Sequence, residues 1–219
     1  MPLAALVGYV VFLVLAFGLR AVIHRRRTGS TGWVGLTGRP LSLEWLAGVL
    51  FGVAVLGSGL APLAQLAGLT PAWGAVDRRL VHVLGLACST VGIAGTLWAQ
   101  VAMGASWRIG VDPAARTELV SEGPFRFVRH PIFTWMTFAS AGLVLLAPNA
   151  LALAAFAALV VALELQVRWV EEPYLLRVHG DRYRRYAATT GRFLPCIGRS
   201  IRRARSGSPV GPHSPSVST

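Results

Sequence analysis

The stretch GPFRFVRHP, residues 123–131, is a basic segment bounded by prolines, and an uncharged run from 131 to 163 follows it directly. Pro131 suits the first turn of a helix, because a missing backbone N–H there leaves no hydrogen bond unmade. Arg126, Arg129 and His130 would then stand at the water-facing entrance of that helix, beside backbone N–H groups without helical partners. Such an entrance can bind an anion. The alternative is a plain basic cluster beside a membrane helix, as the positive-inside rule predicts.

The composition is that of an integral membrane protein. Of the 219 residues, 54% are hydrophobic and 14% are charged, and the charges lie between long uncharged runs. All 21 basic residues are arginine, and the formal net charge is +12. Because the arginines flank apolar runs, we expect anionic lipid head groups as their partners, and not nucleic acid.

The cysteines and histidines indicate neither a disulfide framework nor a metal site. Cys88 lies in an apolar run and Cys196 in a polar tail, so the two should lie far apart. Their spacing from each other and from the histidines is not that of metal ligands. We therefore expect no metal.

The uncharged runs predict an all-α, polytopic membrane protein with five transmembrane helices. Three runs precede the basic segment, over residues 2–19, 45–76 and 80–107. The fourth is divided by Pro148-Asn149 into two short pieces with arginine at both outer ends, which predicts a helical hairpin with its tip at this pair. One long helix is the rival interpretation, but a proline in its middle argues against it. In the second run, Gly48 and Gly52 form a small-xxx-small pair that either allows close helix packing or is ordinary glycine tolerance.

The positions of the charges predict a topology and a division of the chain. An arginine cluster follows the first apolar run, so we expect an uncleaved helix with its N-terminus outside and an active site facing the cytoplasm. A chain without lysine fits a bacterial source, and hence the inner membrane. We predict a three-helix anchor over 1–107, a catalytic region over 108–198 and a disordered tail over 199–219.

Charged residues recur at helical spacing where the fifth helix leaves the membrane. Glu164 and Arg168 are one turn apart and should form an ion pair. The second carboxylate of the pair Glu171-Glu172 then has no obvious partner. We therefore expect ligand contact at this pair.

Four pieces of sequence together resemble the isoprenylcysteine carboxyl methyltransferase family. They are GPFRFVRHPIF at 123–133, the Glu171-Glu172 pair, GxxYxxY at 180–186 and RFxP at 192–195. The related phosphatidylethanolamine N-methyltransferases share much of this pattern, which extends from about Trp107 to Pro195. The resemblance implies a multi-helix membrane enzyme that binds S-adenosylmethionine without a Rossmann domain, at the cytoplasmic end of its last helices.

The resemblance also implies roles for individual residues. The implied cofactor-binding residues are Arg129, His130, Pro131, Glu171 and Glu172, with Gly180 and Tyr183 closing over the cofactor. The implied candidates for catalysis are Arg192 and Glu172. At position 133 the family often has tyrosine and this chain has phenylalanine, so a hydroxyl contact from that position is absent.

The chemistry of the cofactor fits these residue types independently of the resemblance. Its carboxylate needs a cation, which Arg129 or His130 can supply, and its ammonium or ribose needs a carboxylate such as Glu171 or Glu172. Methyl transfer depends mainly on alignment. A carboxylate acceptor could be oriented by Arg192, whereas an amine acceptor would need a glutamate as base. We expect a lipophilic or lipid-linked acceptor that enters laterally from the bilayer.

Two other functions are consistent with a small membrane protein. An NADPH-dependent membrane reductase of the sterol or steroid type shares similar C-terminal motifs, but it would use asparagine contacts, and this chain has only Asn149. A non-enzymatic transporter subunit or scaffold would place charges in mid-span, whereas the acidic residues here gather at one membrane face. Methyl transfer is the function that the sequence favours.

Overall fold

The computed structural model describes residues 1–110 and 118–199, and within them it contains helices and isolated bridges but no extended strand. The five long helices are α1 (Pro2–Thr28), α2 (Leu43–Leu66), α3 (Arg79–Met103), α4 (Pro131–Leu146) and α5 (Ala150–Thr189). All except α4 are long and apolar enough to cross a membrane, and α4 is a shorter apolar helix. The predicted all-α membrane fold is confirmed.

Small residues let α3 and α4 lie against each other. A Cβ atom added at Gly92 would lie 2.4 Å from the backbone nitrogen of Ala139, and one added at Gly142 would lie 2.4 Å from that of Ser89. Close helix packing therefore occurs here and not at the pair noted in the sequence. A Cβ at Gly52 would meet nothing within 4 Å, and one at Gly48 would meet only the side chain of Leu36.

The α4–α5 hairpin turns at Pro148-Asn149, as predicted. Asn149 is fully buried and caps α5, because its side-chain oxygen accepts a hydrogen bond from the backbone N–H of Ala152 at 2.9 Å. Its side-chain nitrogen donates to Gln65 Oε1 at 2.8 Å. One asparagine thus starts α5 and ties the hairpin tip to the end of α2.

Two irregularities in α5 determine how its last part approaches α4. Residues Gln166–Glu171 form a π-helical turn, and Gly180 breaks the α-helix with φ 51° and ψ −123°. A π turn inserts one residue into the helix and is frequent at functional sites. The side chains that follow it, beginning with Glu172, therefore point differently than in an uninterrupted helix.

The predicted division into an anchor and a catalytic region stays a prediction. Of the predicted disordered tail, 199–219, only Arg199 lies within the described residues.

Candidate active site

The carboxylate of Glu172 lies between two guanidinium groups where the start of α4 meets the last part of α5. Arg129 donates from Nη2 to Glu172 Oε1 at 2.7 Å, and Arg192 donates from Nη2 to Glu172 Oε2 at 2.7 Å. The side chain of Arg129 is only 1% exposed and that of Glu172 is 16% exposed. The expectation that one of the two adjacent glutamates lacks a partner is wrong for Glu172, because residues far away in sequence supply its partners.

His130 holds the other glutamate. Its Nδ1 lies 3.2 Å from Glu171 Oε2, and its Nε2 lies 3.8 Å from Glu172 Oε1. Burial opposes a charge on the imidazole, but the adjacent carboxylates of Glu171 and Glu172 outweigh burial and raise the pKa of His130. Neither carboxylate of the pair is therefore free, which corrects the expectation drawn from the sequence.

Residues 191–198, here called the C-terminal strap, cover the start of α4. The carbonyls of Gly191 and Arg192 accept hydrogen bonds from the backbone N–H groups of Arg129, at 2.8 Å, and His130, at 3.1 Å. The side chain of Arg129 also donates to the carbonyl of Gly198 at 3.0 Å. The backbone N–H groups of the two residues that precede α4 are thus already hydrogen-bonded.

The water-facing helix entrance predicted for the three basic residues is correct only for Arg126, which is exposed and lies over the ring of Phe127 at 4.6 Å. Arg129 and His130 are buried. Pro131 is also buried and starts α4. Its side chain offers no polar group, and its ring restricts the backbone of the residue before it. That Pro131 contacts a cofactor stays a prediction.

Tyr183 and Gly180 occupy different surroundings. Tyr183 is buried, its hydroxyl has no hydrogen-bond partner among the described residues, and it is close enough to Glu172 and Arg129 to interact with both electrostatically. Gly180 lies at the break in α5, and a Cβ there would meet nothing within 4 Å. That both close over a cofactor stays a prediction.

Sequence reasoning missed several groups that build this site. Nη1 of Arg129 donates to the carbonyls of Thr190 at 2.5 Å and Ala187 at 3.1 Å. Thr134 donates from its hydroxyl to the carbonyl of Phe193 at 2.8 Å. Tyr186 donates to the carbonyl of Phe125 at 2.5 Å. These are backbone contacts across large sequence separations, and no local spacing signals them.

The residues present fit an amino acid-bearing cofactor. Two guanidinium groups and two carboxylates lie together, and two buried polar atoms beside them, His130 Nε2 and the Tyr183 hydroxyl, have no hydrogen-bond partner in the described chain. Within the described residues no group of three or more potential ligands could hold a metal ion. The donors therefore suit an organic zwitterion.

Comparison with known families agrees with this geometry. The family model described as phospholipid methyltransferase matches residues 80–182, which include nearly all of α3, α4, most of α5 and the site residues Arg129, His130, Glu171 and Glu172, but not Tyr183. Arg192 and the C-terminal strap lie beyond the match. No curated protein matches the chain. Through the segment 80–182, the chain is similar to the phospholipid methyltransferase family, and this match indicates a membrane methyltransferase.

Proposed function

We propose that the protein transfers a methyl group from S-adenosylmethionine to a lipophilic acceptor in the membrane. The observation that supports this most directly is the charged cluster of Arg129, Glu172 and Arg192 at the polar end of an apolar helical hairpin. Arg129 and Glu172 lie within the matched segment. A charged ligand would be held at this cluster while the acceptor approaches from the apolar side.

The cofactor would exchange partners with charges that are already paired. Its carboxylate would form an ion pair with Arg192 or Arg129, and its ammonium or ribose would donate hydrogen bonds to Glu171 or Glu172. Because the amino acid end carries one charge of each sign, inserting it between Arg192 and Glu172 leaves every buried charge with a partner. The Tyr183 hydroxyl and His130 Nε2 would gain the partners they lack. When bound, the cofactor supplies an electrophilic methyl group on a positively charged sulfur.

A small apolar cavity inside the helix bundle marks where the acceptor's hydrocarbon part would enter once the helices move apart. It lies between α1, α2, α4 and α5, and its walls are mainly aromatic and aliphatic: Tyr9, Phe12, Phe17, Phe51, Met136 and Leu159. Phe133 packs against the cluster that contains Met136 and also stacks on His130, with ring centroids 6.1 Å apart. Phe133 therefore connects the charged cluster with the cavity.

The chemistry at the acceptor has two forms. With a carboxylate acceptor, Arg192 would orient the carboxylate toward the methyl group that the cofactor supplies, and the product would be a methyl ester. The family description favours a second candidate, a phospholipid amine. That acceptor must lose a proton, and Glu171 or Glu172 would take it. We expect the active site to face the cytoplasm, where the cofactor is made.

The test is calorimetric binding of S-adenosylmethionine and S-adenosylhomocysteine to the detergent-purified chain. Tyr183→Phe is the sharpest variant, because it removes a hydroxyl that bonds nothing in the described structure and should leave stability unchanged. We expect both ligands to bind and Tyr183→Phe to weaken them about tenfold, as for one lost hydrogen bond to a charged group. The matched control Glu164→Gln, in an exposed ion pair, should bind as the parent does.

A folded protein that binds neither ligand would overturn the proposal, and binding of NADPH instead would support a reductase. If the ligands bind, methyl transfer to a fatty carboxylate and to a phospholipid amine in mixed micelles distinguishes the two acceptors.

A further inference from the structure

A second buried polar cluster lies away from the charged cluster at Glu172, on α1 and at the end of α3. Its members, here called the Arg20 cluster, are all nearly inaccessible to solvent: Arg20 (5% exposed), His24 (4%), Gln100 (3%) and Trp107 (2%). Methyl transfer as proposed uses none of them. Burying polar groups at a helix seam is costly unless each finds a partner, so the pairing of these groups is informative.

The charge of Arg20 is not compensated within the described residues. Its Nη2 donates to the carbonyl of Gly104 at 2.7 Å, its guanidinium carbon lies 5.0 Å from the centre of the Trp107 ring, and its Nε is buried without a partner. No carboxylate of the described chain forms an ion pair with it. Trp107 thus covers the face of the guanidinium, and the buried Nε–H remains for an anion in its plane.

Arg20 lies level with one end of the apolar helix α3, where lipid head groups are expected. Gly104 directly follows the last residue of α3, so Arg20 lies level with the end of an apolar transmembrane run. Arg20 does not reach out into water, since it is 5% exposed. The exposed arginines Arg25, Arg26 and Arg27 continue the same helix, and Arg27 repels Arg20 electrostatically. This concentration of positive charge attracts the phosphates of anionic lipids.

Gln100 adds a requirement for a hydrogen-bond donor. Its side-chain nitrogen donates to the carbonyl of Ala16 at 2.9 Å, and its Oε1 is buried with no partner in the described chain. Ala16 and Arg20 are one turn apart on α1, as Gln100 and Gly104 are along α3. The two unpartnered groups, one donor and one acceptor, therefore belong to the same seam.

We propose that the seam between α1 and α3 binds the phosphate of an anionic phospholipid whose head group carries a hydroxyl. Arg20 pairs with the phosphate, and Gln100 accepts a hydrogen bond from the hydroxyl. Phosphatidylglycerol has both features and a net negative charge. Phosphatidylcholine has the phosphate but neither the net charge nor a donor.

The test is native mass spectrometry of the full chain, released from detergent after incubation with phosphatidylglycerol, phosphatidylcholine or inorganic phosphate. We expect retention of phosphatidylglycerol only, reduced about tenfold by Arg20→Gln, because a charge-assisted hydrogen bond is lost. The control Arg26→Gln removes an exposed arginine of the same helix and should change retention less than about twofold. Gln100→Met, of similar volume, should also reduce retention.

Equal losses in Arg20→Gln and Arg26→Gln would overturn the proposal in favour of a general basic surface. Equal retention of the two lipids would overturn it too, and binding of inorganic phosphate alone would show a free-anion site. If Arg20→Gln does not fold, the comparison rests on Gln100→Met: retention unchanged from the parent would refute the assignment.

Discussion

Replacing Glu172 with glutamine keeps the shape of the side chain and removes the charge that two arginines share. Arg129 would keep its hydrogen bonds to the carbonyls of Thr190 and Gly198, but its guanidinium, 1% exposed, would have lost its counter-charge. Removing one partner of a buried ion pair costs about 3–5 kcal/mol. Because the side chains of Glu172 and Arg192 are 16% and 19% exposed, we take the lower end, about 3 kcal/mol.

Unfolding by sodium dodecyl sulfate in mixed micelles measures this cost. The matched control is Glu164→Gln, because Glu164 pairs with Arg168 on an exposed part of the same helix, with side chains 38% and 55% exposed. An exposed pair one turn apart contributes about 0.3–0.5 kcal/mol. If the two variants unfold with equal free energies, Glu172 is not the counter-charge of a buried cluster and our reasoning on the site is refuted.

Three further predictions concern His130, the contact between α3 and α4, and the hairpin tip. The raised pKa of His130 means that its protonated form stabilises the fold, fully below its ordinary value of 6.5 and less as pH rises through the raised pKa. The melting temperature of the parent should therefore exceed that of His130→Gln at mildly acidic pH and converge with it at alkaline pH; a constant difference would contradict this. Gly92→Ala should lower the free energy of unfolding by about 1–3 kcal/mol or more, because its Cβ would lie 2.4 Å from a backbone atom. Gly52→Ala, whose Cβ would meet nothing within 4 Å, should be neutral or stabilising in the same unfolding assay. Asn149→Ala should cost about 2 kcal/mol, because α5 loses its cap and Gln65 loses a buried donor, and an unchanged unfolding midpoint would refute that role.

The helices and the hairpin could be predicted because they depend on local patterns. Long apolar runs, the Pro148-Asn149 pair at the hairpin tip and the ion pair of Glu164 with Arg168 are all visible in short windows of sequence. The resemblance to membrane methyltransferases could be predicted as well, since two of its motifs, residues 123–133 and the Glu171-Glu172 pair, lie in the segment that the family model matches.

The pairing inside the site could not be predicted, because it depends on how distant segments meet. Arg129 and Glu172 are separated by 43 residues, and nothing in either neighbourhood indicates which of two adjacent glutamates faces the arginine. The π turn before Glu172 changes the direction in which the two glutamate side chains point, and π turns have no simple sequence signal. Helix packing could not be predicted for the same reason. The spacing of Gly48 and Gly52 allowed two interpretations, and only the structure shows that ordinary glycine tolerance holds there while Gly92 and Gly142 lie against a facing helix.

The C-terminal strap has a consequence for biosynthesis. The ribosome synthesises α4 well before residues 191–198. Until those residues are made, the backbone N–H groups of Arg129 and His130 and the guanidinium of Arg129 lack the carbonyl groups to which they donate in the folded protein. The membrane-embedded hairpin can form while the ribosome is still at work. The charged cluster can be completed only after the ribosome has finished the strap, so a chain that stalls before Gly191 would be inserted and yet lack a finished site.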